Sequence, residues 1–261
     1  MPEALSESLT EDSLLGGRVR LSQPARGYRA AIDPVLLAAA VPATAGETVL
    51  DAGAGTGAAS LALAVRVPGC RIVGLEIQRD LQRLASRNAR QNELGRRVEV
   101  IEGDLGRPPP RLAGAIFDHV MTNPPHLAAA AALASPVEER ARAHVEHQLD
   151  LAGWLAACLR MLRPGGVLTL VHRADRLADA LAPLRGPLGD LVIYPLWPGA
   201  GDRPAKRVLV QGRKGRRGPL RLARGLVLHD ASGGFSAAAE AVLRHAKDLV
   251  LLDPRNGSGD G

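Results

Sequence analysis

Apolar residues recur along this chain in two alternating rhythms. Short aliphatic runs at 47–51, 71–76, 97–101, 116–121, 166–171, 190–196 and 206–212 have the length and composition of buried strands. Between them, stretches at 57–66, 79–93, 139–162 and 174–184 carry the spacing of helices with one apolar face. Asp33 and Pro34 predict an earlier helix start, with Asp33 as N-cap, Pro34 in the first turn and Val35 to Val41 behind them. Seven strands separated by helices predict an α/β fold: a Rossmann-like, mainly parallel sheet with helices on both faces. Past residue 212 the alternation stops. Pro219 to His229 reads as a strand or hairpin, and Ser236 to Lys247 as a final helix.

The pattern predicts one domain over 18–253, including a basic hairpin region at 203–224. Residues 1–17 and 254–261 are expected to be mobile ends. In sheets of this kind ligands gather at the carboxyl ends of the strands. Two segments follow strands there, the glycine loop Asp51-Ala52-Gly53-Ala54-Gly55-Thr56-Gly57 and the turn Asn123-Pro124-Pro125-His126.

Glycines let a backbone approach a ligand without interference from a Cβ atom. The loop alone also resembles a dinucleotide fingerprint, so a nicotinamide cofactor is a rival. Three acids after successive strands favour S-adenosylmethionine (SAM). Asp51 can serve its amino group through water or loop amides, Glu76 its ribose hydroxyls, and Asp104 its adenine amine. The cofactor set is therefore Asp51, Gly53, Gly55, Gly57, Glu76, Asp104 and Asn123.

The second segment suits methyl transfer to a planar amine. Such a nitrogen is a poor nucleophile because its lone pair is delocalised. Two acceptors can hold its hydrogens as it becomes tetrahedral, the Asn123 side-chain oxygen and the Pro124 carbonyl. Pro124 and Pro125 stiffen the turn, and His126 offers a ring for stacking on a base. No strong base is needed, because a sulfonium is already a good leaving group.

Composition adds location and partner. Cys70 and Cys158 give no disulfide framework, and no apolar run reaches membrane-span length, so a cytoplasmic protein without a membrane partner is expected. Aromatic residues are only 2% of the chain, which makes any aromatic near a site informative. The net charge is +6, yet residues 203–224 hold nine basic residues and no acid, leaving 24 basic and 27 acidic residues elsewhere, a net −3. So local a patch suggests a polyanion, with Arg213, Lys214, Arg216 and Arg217 as candidate nucleic-acid contacts. The alternative is a solvated hairpin. His144 and His147, three apart on an expected helix, have no accompanying ligand set and read as an exposed helix face.

With these residues in view, the chain resembles class I SAM-dependent methyltransferases of the Asn-Pro-Pro-aromatic type. More narrowly it is similar to the bacterial tRNA1(Val) adenine-N(6) methyltransferase family. Further segments carry that likeness: Arg29 to Leu37, Glu139-Arg140-Ala141-Arg142, and Gly225-Leu226-Val227-Leu228-His229 followed by Phe235-Ser236. The resemblance implies methylation of an adenine beside a tRNA anticodon, a base that can be splayed from its loop. His126 departs from the Tyr or other aromatic ring usual at that place. Other substrates of the same chemistry are rRNA, DNA and a protein glutamine. A SAM- or RNA-binding protein without turnover is a rival of another class.

Overall fold

The computed structural model describes residues 9–26, 30–125 and 149–251. Eight strands form one hydrogen-bonded path, and a ninth short strand joins it off that path. The central strand is β3 (Thr48–Ala52). On one side of it lie β4 (Arg71–Glu76) and β5 (Val98–Glu102). On the other side lie β6 (Phe117–Thr122), β7 (Leu162–Arg173), β9 (Arg207–Lys214) and β8 (Leu188–Trp197), in that order. β3 pairs in parallel with both β4 and β6, and β9 runs antiparallel between β7 and β8.

The seven expected strands are thus present, and the fold is the mainly parallel α/β sheet that the pattern predicts. Two short strands extend it, β10 (Arg221–Leu222) and β11 (Leu226–Val227). Both pair in parallel with β8, so 203–224 is not a hairpin: β8 stands between β9 and β10.

Helices cover both faces. On one face α1 (Asp33–Ala40), α2 (Ala58–Arg66), α3 (Arg79–Gln91) and α6 (Ala237–His245) bury residues such as Leu36, Leu61, Ala85 and Val242 against Val49, Ile72 and Val171. On the other, α4 (Leu151–Met161) and α5 (Leu177–Leu184) place Leu155, Cys158 and Leu184 against Leu50, Val120 and Leu168. Alternate side chains of each strand feed the two cores, as the pleat requires. α4 opens where Asp150 accepts a hydrogen bond from the Gly153 N–H at 2.7 Å. The expected helix over 139–162 is described only from 151 onward. His144, His147 and the Glu139–Arg142 segment lie outside the described residues.

Two expectations near the N-terminus are corrected. Residues 9–17 are structured: β1 (Leu9–Leu14) pairs antiparallel with β2 (Val19–Pro24) through a short 3-10 turn. The hairpin is held by Asn88 of α3, whose amide bonds the backbone N–H and C=O of Ser22 at 3.0 and 2.9 Å. Asp33 does not cap α1, whose N-cap is Ile32; its carboxylate instead accepts from the Arg207 guanidinium at 2.9 Å. The 254–261 tail lies outside the described residues.

Candidate active site

The chain passes outward from β3 to β5 and then returns to β6 on the other flank of β3. This reversal of strand order opens a crevice at the carboxyl edge of the sheet. Ala52 is level with Thr122 in the ladder, so the glycine loop and the Asn-Pro-Pro turn leave the sheet side by side. They share the wall of a cavity of about 360 Å³ with Glu76, Asp104 and Trp154.

The loop between β3 and α2 is shaped by its glycines. Gly53, Gly55 and Gly57 have φ of +77°, +56° and +85°, in the region that side-chain-bearing residues rarely adopt. The N–H groups of Gly53 and Ala54 both donate to the Leu75 carbonyl, at 2.9 and 3.1 Å, which ties the loop to the end of β4. A Cβ on Gly53 would stand 3.0 Å from the Trp154 indole.

Glu76 ends β4 and is buried. Its two oxygens accept from the N–H of Gly55 at 2.8 Å and of Gln78 at 2.8 Å. Each carboxylate oxygen has two acceptor sites, so these bonds orient the group and leave capacity for a diol. Asp104 follows β5; its Oδ1 accepts from the Gly106 N–H at 2.8 Å. Asn123 is half-buried, Pro124 buried and Pro125 exposed, and all three line the cavity.

Other expected site residues lie elsewhere. Asp51 stands behind the loop, 2% exposed, and accepts a 2.6 Å bond from the Ser60 hydroxyl of α2. Burial raises its carboxyl to about 6, against the Ser60 bond that favours the charge. It braces the loop from behind. Gly57 forms the left-handed N-cap of α2, also away from the cavity wall. His126 lies outside the described residues.

Arg213 and Lys214 are at the opposite edge of the sheet. β9 is antiparallel to β7, and Arg213 pairs with Val167 near the amino end of β7. Their side chains are engaged there: Arg213 donates to the Gly165 carbonyl, and the Lys214 ammonium to the carbonyls of Leu159 and Leu162 at the end of α4. Arg216 and Arg217 follow in an exposed turn on that edge. None of the four lines the cavity.

Trp154 is the wall residue that strand and loop patterns missed. Its indole N–H donates to Thr122 Oγ at 2.9 Å, and that hydroxyl donates to the Ala52 carbonyl at 2.9 Å. One aromatic side chain thereby joins the ends of β3 and β6 to α4. The scarcity of aromatics was the available signal. Ile77, beside Glu76, is 46% exposed and adds apolar surface to the cavity wall. Among the described residues no group of His, Cys, Asp and Glu could hold a metal ion.

A concave, largely apolar wall with a carboxylate at each of two strand ends and a glycine-lined approach fits a nucleoside-bearing cofactor. Fold and cavity together define the class I SAM-dependent methyltransferases. Residues 43–183 match the Methyltransferase domain family, and the chain belongs to it. It is 34% identical over 215 residues to a tRNA1(Val) (adenine(37)-N6)-methyltransferase of Aeromonas hydrophila, a match covering 78% of this chain and 84% of that protein. A release factor glutamine methyltransferase of Moorella thermoacetica is 32% identical over 139 residues, 49% of this chain and 47% of that protein. In fold, a predicted O-methyltransferase from Agrobacterium tumefaciens superposes with TM-score 0.68 at 24% identity, covering 83% of this chain and 97% of that one. The cofactor is SAM, and the protein is a SAM-dependent methyltransferase.

Proposed function

We propose that the protein methylates the exocyclic amine of an adenine in RNA, in a tRNA near its anticodon. The observation that carries this reading is the Asn123-Pro124 turn, which shares one cavity wall with Glu76 and Asp104. Glu76 would hold the ribose of SAM and Asp104 its adenine amine. Gly53 and Gly55 let the loop backbone close on the cofactor. When bound, SAM supplies an electrophilic methyl on a sulfonium. The Asn123 side-chain oxygen and the Pro124 carbonyl accept the two hydrogens of the substrate amine and orient its lone pair. The fixed φ of Pro124 and Pro125 keeps those acceptors in place. The likeness to a tRNA adenine methyltransferase over most of both chains supports adenine in tRNA as the substrate.

The likeness to a release factor glutamine methyltransferase favours a second reading, a protein glutamine side chain, whose planar amide meets the same two acceptors. Transfer of labelled methyl from SAM to separate pools of tRNA, rRNA, DNA and protein, followed by nucleoside and peptide analysis, decides between them. Label recovered as 6-methyladenosine in tRNA is the expected result. Label in protein alone overturns the RNA reading. With the accepting pool, Asn123→Ala should lower kcat by at least about a hundredfold while the Kd for SAM stays within about twofold. Unimpaired turnover would remove Asn123 from the reaction.

A further inference from the structure

Residues 185–229 contain ten basic residues and two acids, Asp190 and Asp202. Three of the ten are used inside the fold: Arg207 with Asp33, Arg213 with Gly165, and Lys214 with the end of α4. The side chains of Arg185, Arg216, Arg217, Arg221 and Arg224 make no hydrogen bond or ion pair among the described residues. Arg185, Arg216, Arg217 and Arg224 are exposed, and Arg221 is half-buried.

These five follow one border of the sheet. Arg221 lies in the edge strand β10, level with Val192 of β8. The Arg216–Arg217 turn packs on β8 at Gly189, where a Cβ would fall 2.2 Å from the Arg216 carbonyl oxygen. The Gly215 N–H donates to the Pro187 carbonyl at 3.0 Å, which brings Arg185 beside the same turn. The charges therefore sit on a fastened frame.

The turn is far from the cavity. Asn123 follows the ladder level of Leu170, whereas Arg213 is level with Val167 and Gly189. Four residues along the strands and three strand spacings across them separate the sites by roughly 20 Å. A single nucleotide in the cavity cannot span that gap, whereas the backbone of a folded RNA can.

We propose that the Arg185, Arg216, Arg217, Arg221 and Arg224 border binds the phosphate backbone of a folded RNA at a distance from the nucleotide being methylated. The inference rests on the RNA reading above. It makes the accepted substrate a structured RNA with a stem, held at two places. Unpaired guanidinium groups in a row suit phosphates, which take them singly or in bidentate pairs.

The test is binding of full-length tRNA to the whole protein by fluorescence anisotropy across a salt series, with methyl transfer measured in parallel. The Arg216→Glu, Arg217→Glu double variant should weaken tRNA binding at least about tenfold. It should also flatten the slope of log K against log salt by about 1 to 2, as expected for two lost phosphate contacts. SAM affinity, measured by calorimetry, should not change, which also reports that the variant is folded. Arg216→Lys, Arg217→Lys should bind nearly as wild type does. If the wild-type protein methylates RNA and the Glu variant binds tRNA unchanged, this border is not an RNA contact and the substrate reading stands. If the wild type binds tRNA through these residues but methylates only protein, the substrate reading fails and the border stands. Absence of tRNA binding by the wild type overturns the proposal.

Discussion

At the scale of single residues, the cavity depends on side chains that never face it. Asp51 is the clearest case. Its carboxyl is enclosed by the sheet, α2 and the glycine loop, with the Ser60 hydroxyl as its hydrogen-bond partner. Burial holds its pKa near 6 rather than 3.8, so ionisation is more costly in the folded state than in the unfolded chain. A raised acid favours folding most below about pH 4, where both states are protonated. That contribution is lost as pH climbs toward 6, and above 6 the folded state bears the full penalty, roughly 3 kcal/mol. Asp51→Asn retains an acceptor for Ser60 and removes the charge. Its stability relative to wild type in urea should therefore improve between pH 4 and 6 and level off above. A difference that stays flat across that range would show that Asp51 is not buried as an acid.

At the scale of elements, the N-terminal hairpin is tied to the glycine loop through α3. Asn88 is fully buried on α3 and makes three bonds. Two hold Ser22 of β2, and the third runs to the Thr56 carbonyl of the glycine loop at 3.0 Å. One amide thus couples β2, α3 and the loop. Asn88→Ala strands the Thr56 carbonyl and both Ser22 groups in a buried place, at a cost of about 2–3 kcal/mol. It should also weaken SAM binding and open residues 9–26 to proteolysis. Loss of stability with SAM affinity and protease resistance intact would confine Asn88 to ordinary packing. Residues 9–17 read as part of a mobile end because a short apolar-polar strand reads as disorder until its partner is known. Its partner is β2, and β2 is itself held from 66 residues downstream, where Asn88 of α3 bonds Ser22.

At the scale of the molecule, the sheet separates two cores, each with one thiol. Cys70 belongs to the core under α1, α2 and α3, and Cys158 to the core under α4 and α5. Burial pushes the Cys158 thiol up to about 12 and raises that of Cys70 as well. Neither should react with a thiol reagent at pH 8 in the native protein, since the thiolate is the reactive form. In rising urea both should become reactive at one midpoint if the strands make the two cores a single cooperative unit. Separate midpoints for the two cysteines would mean that the faces unfold independently.

The alternation of aliphatic runs and amphipathic stretches was enough to place seven strands and most helices, because strand and helix periods are local properties of the chain. The placement of Gly53, Gly55, Glu76, Asp104 and the Asn123 turn at one cavity was legible for a related reason: each lies at or just past the carboxyl end of a strand, and parallel strands put those ends on one edge. Tertiary structure alone decided the rest. Trp154 joined the cavity because α4 folds back over β3 and β6, and Asp51 left it because α2 presents Ser60. Arg213 and Lys214, adjacent in sequence to exposed arginines, were turned to structural use at the far edge because β9 enters the sheet antiparallel. Sequence records which residues are neighbours along a strand; the direction in which that strand is laid decides which end of it reaches the site.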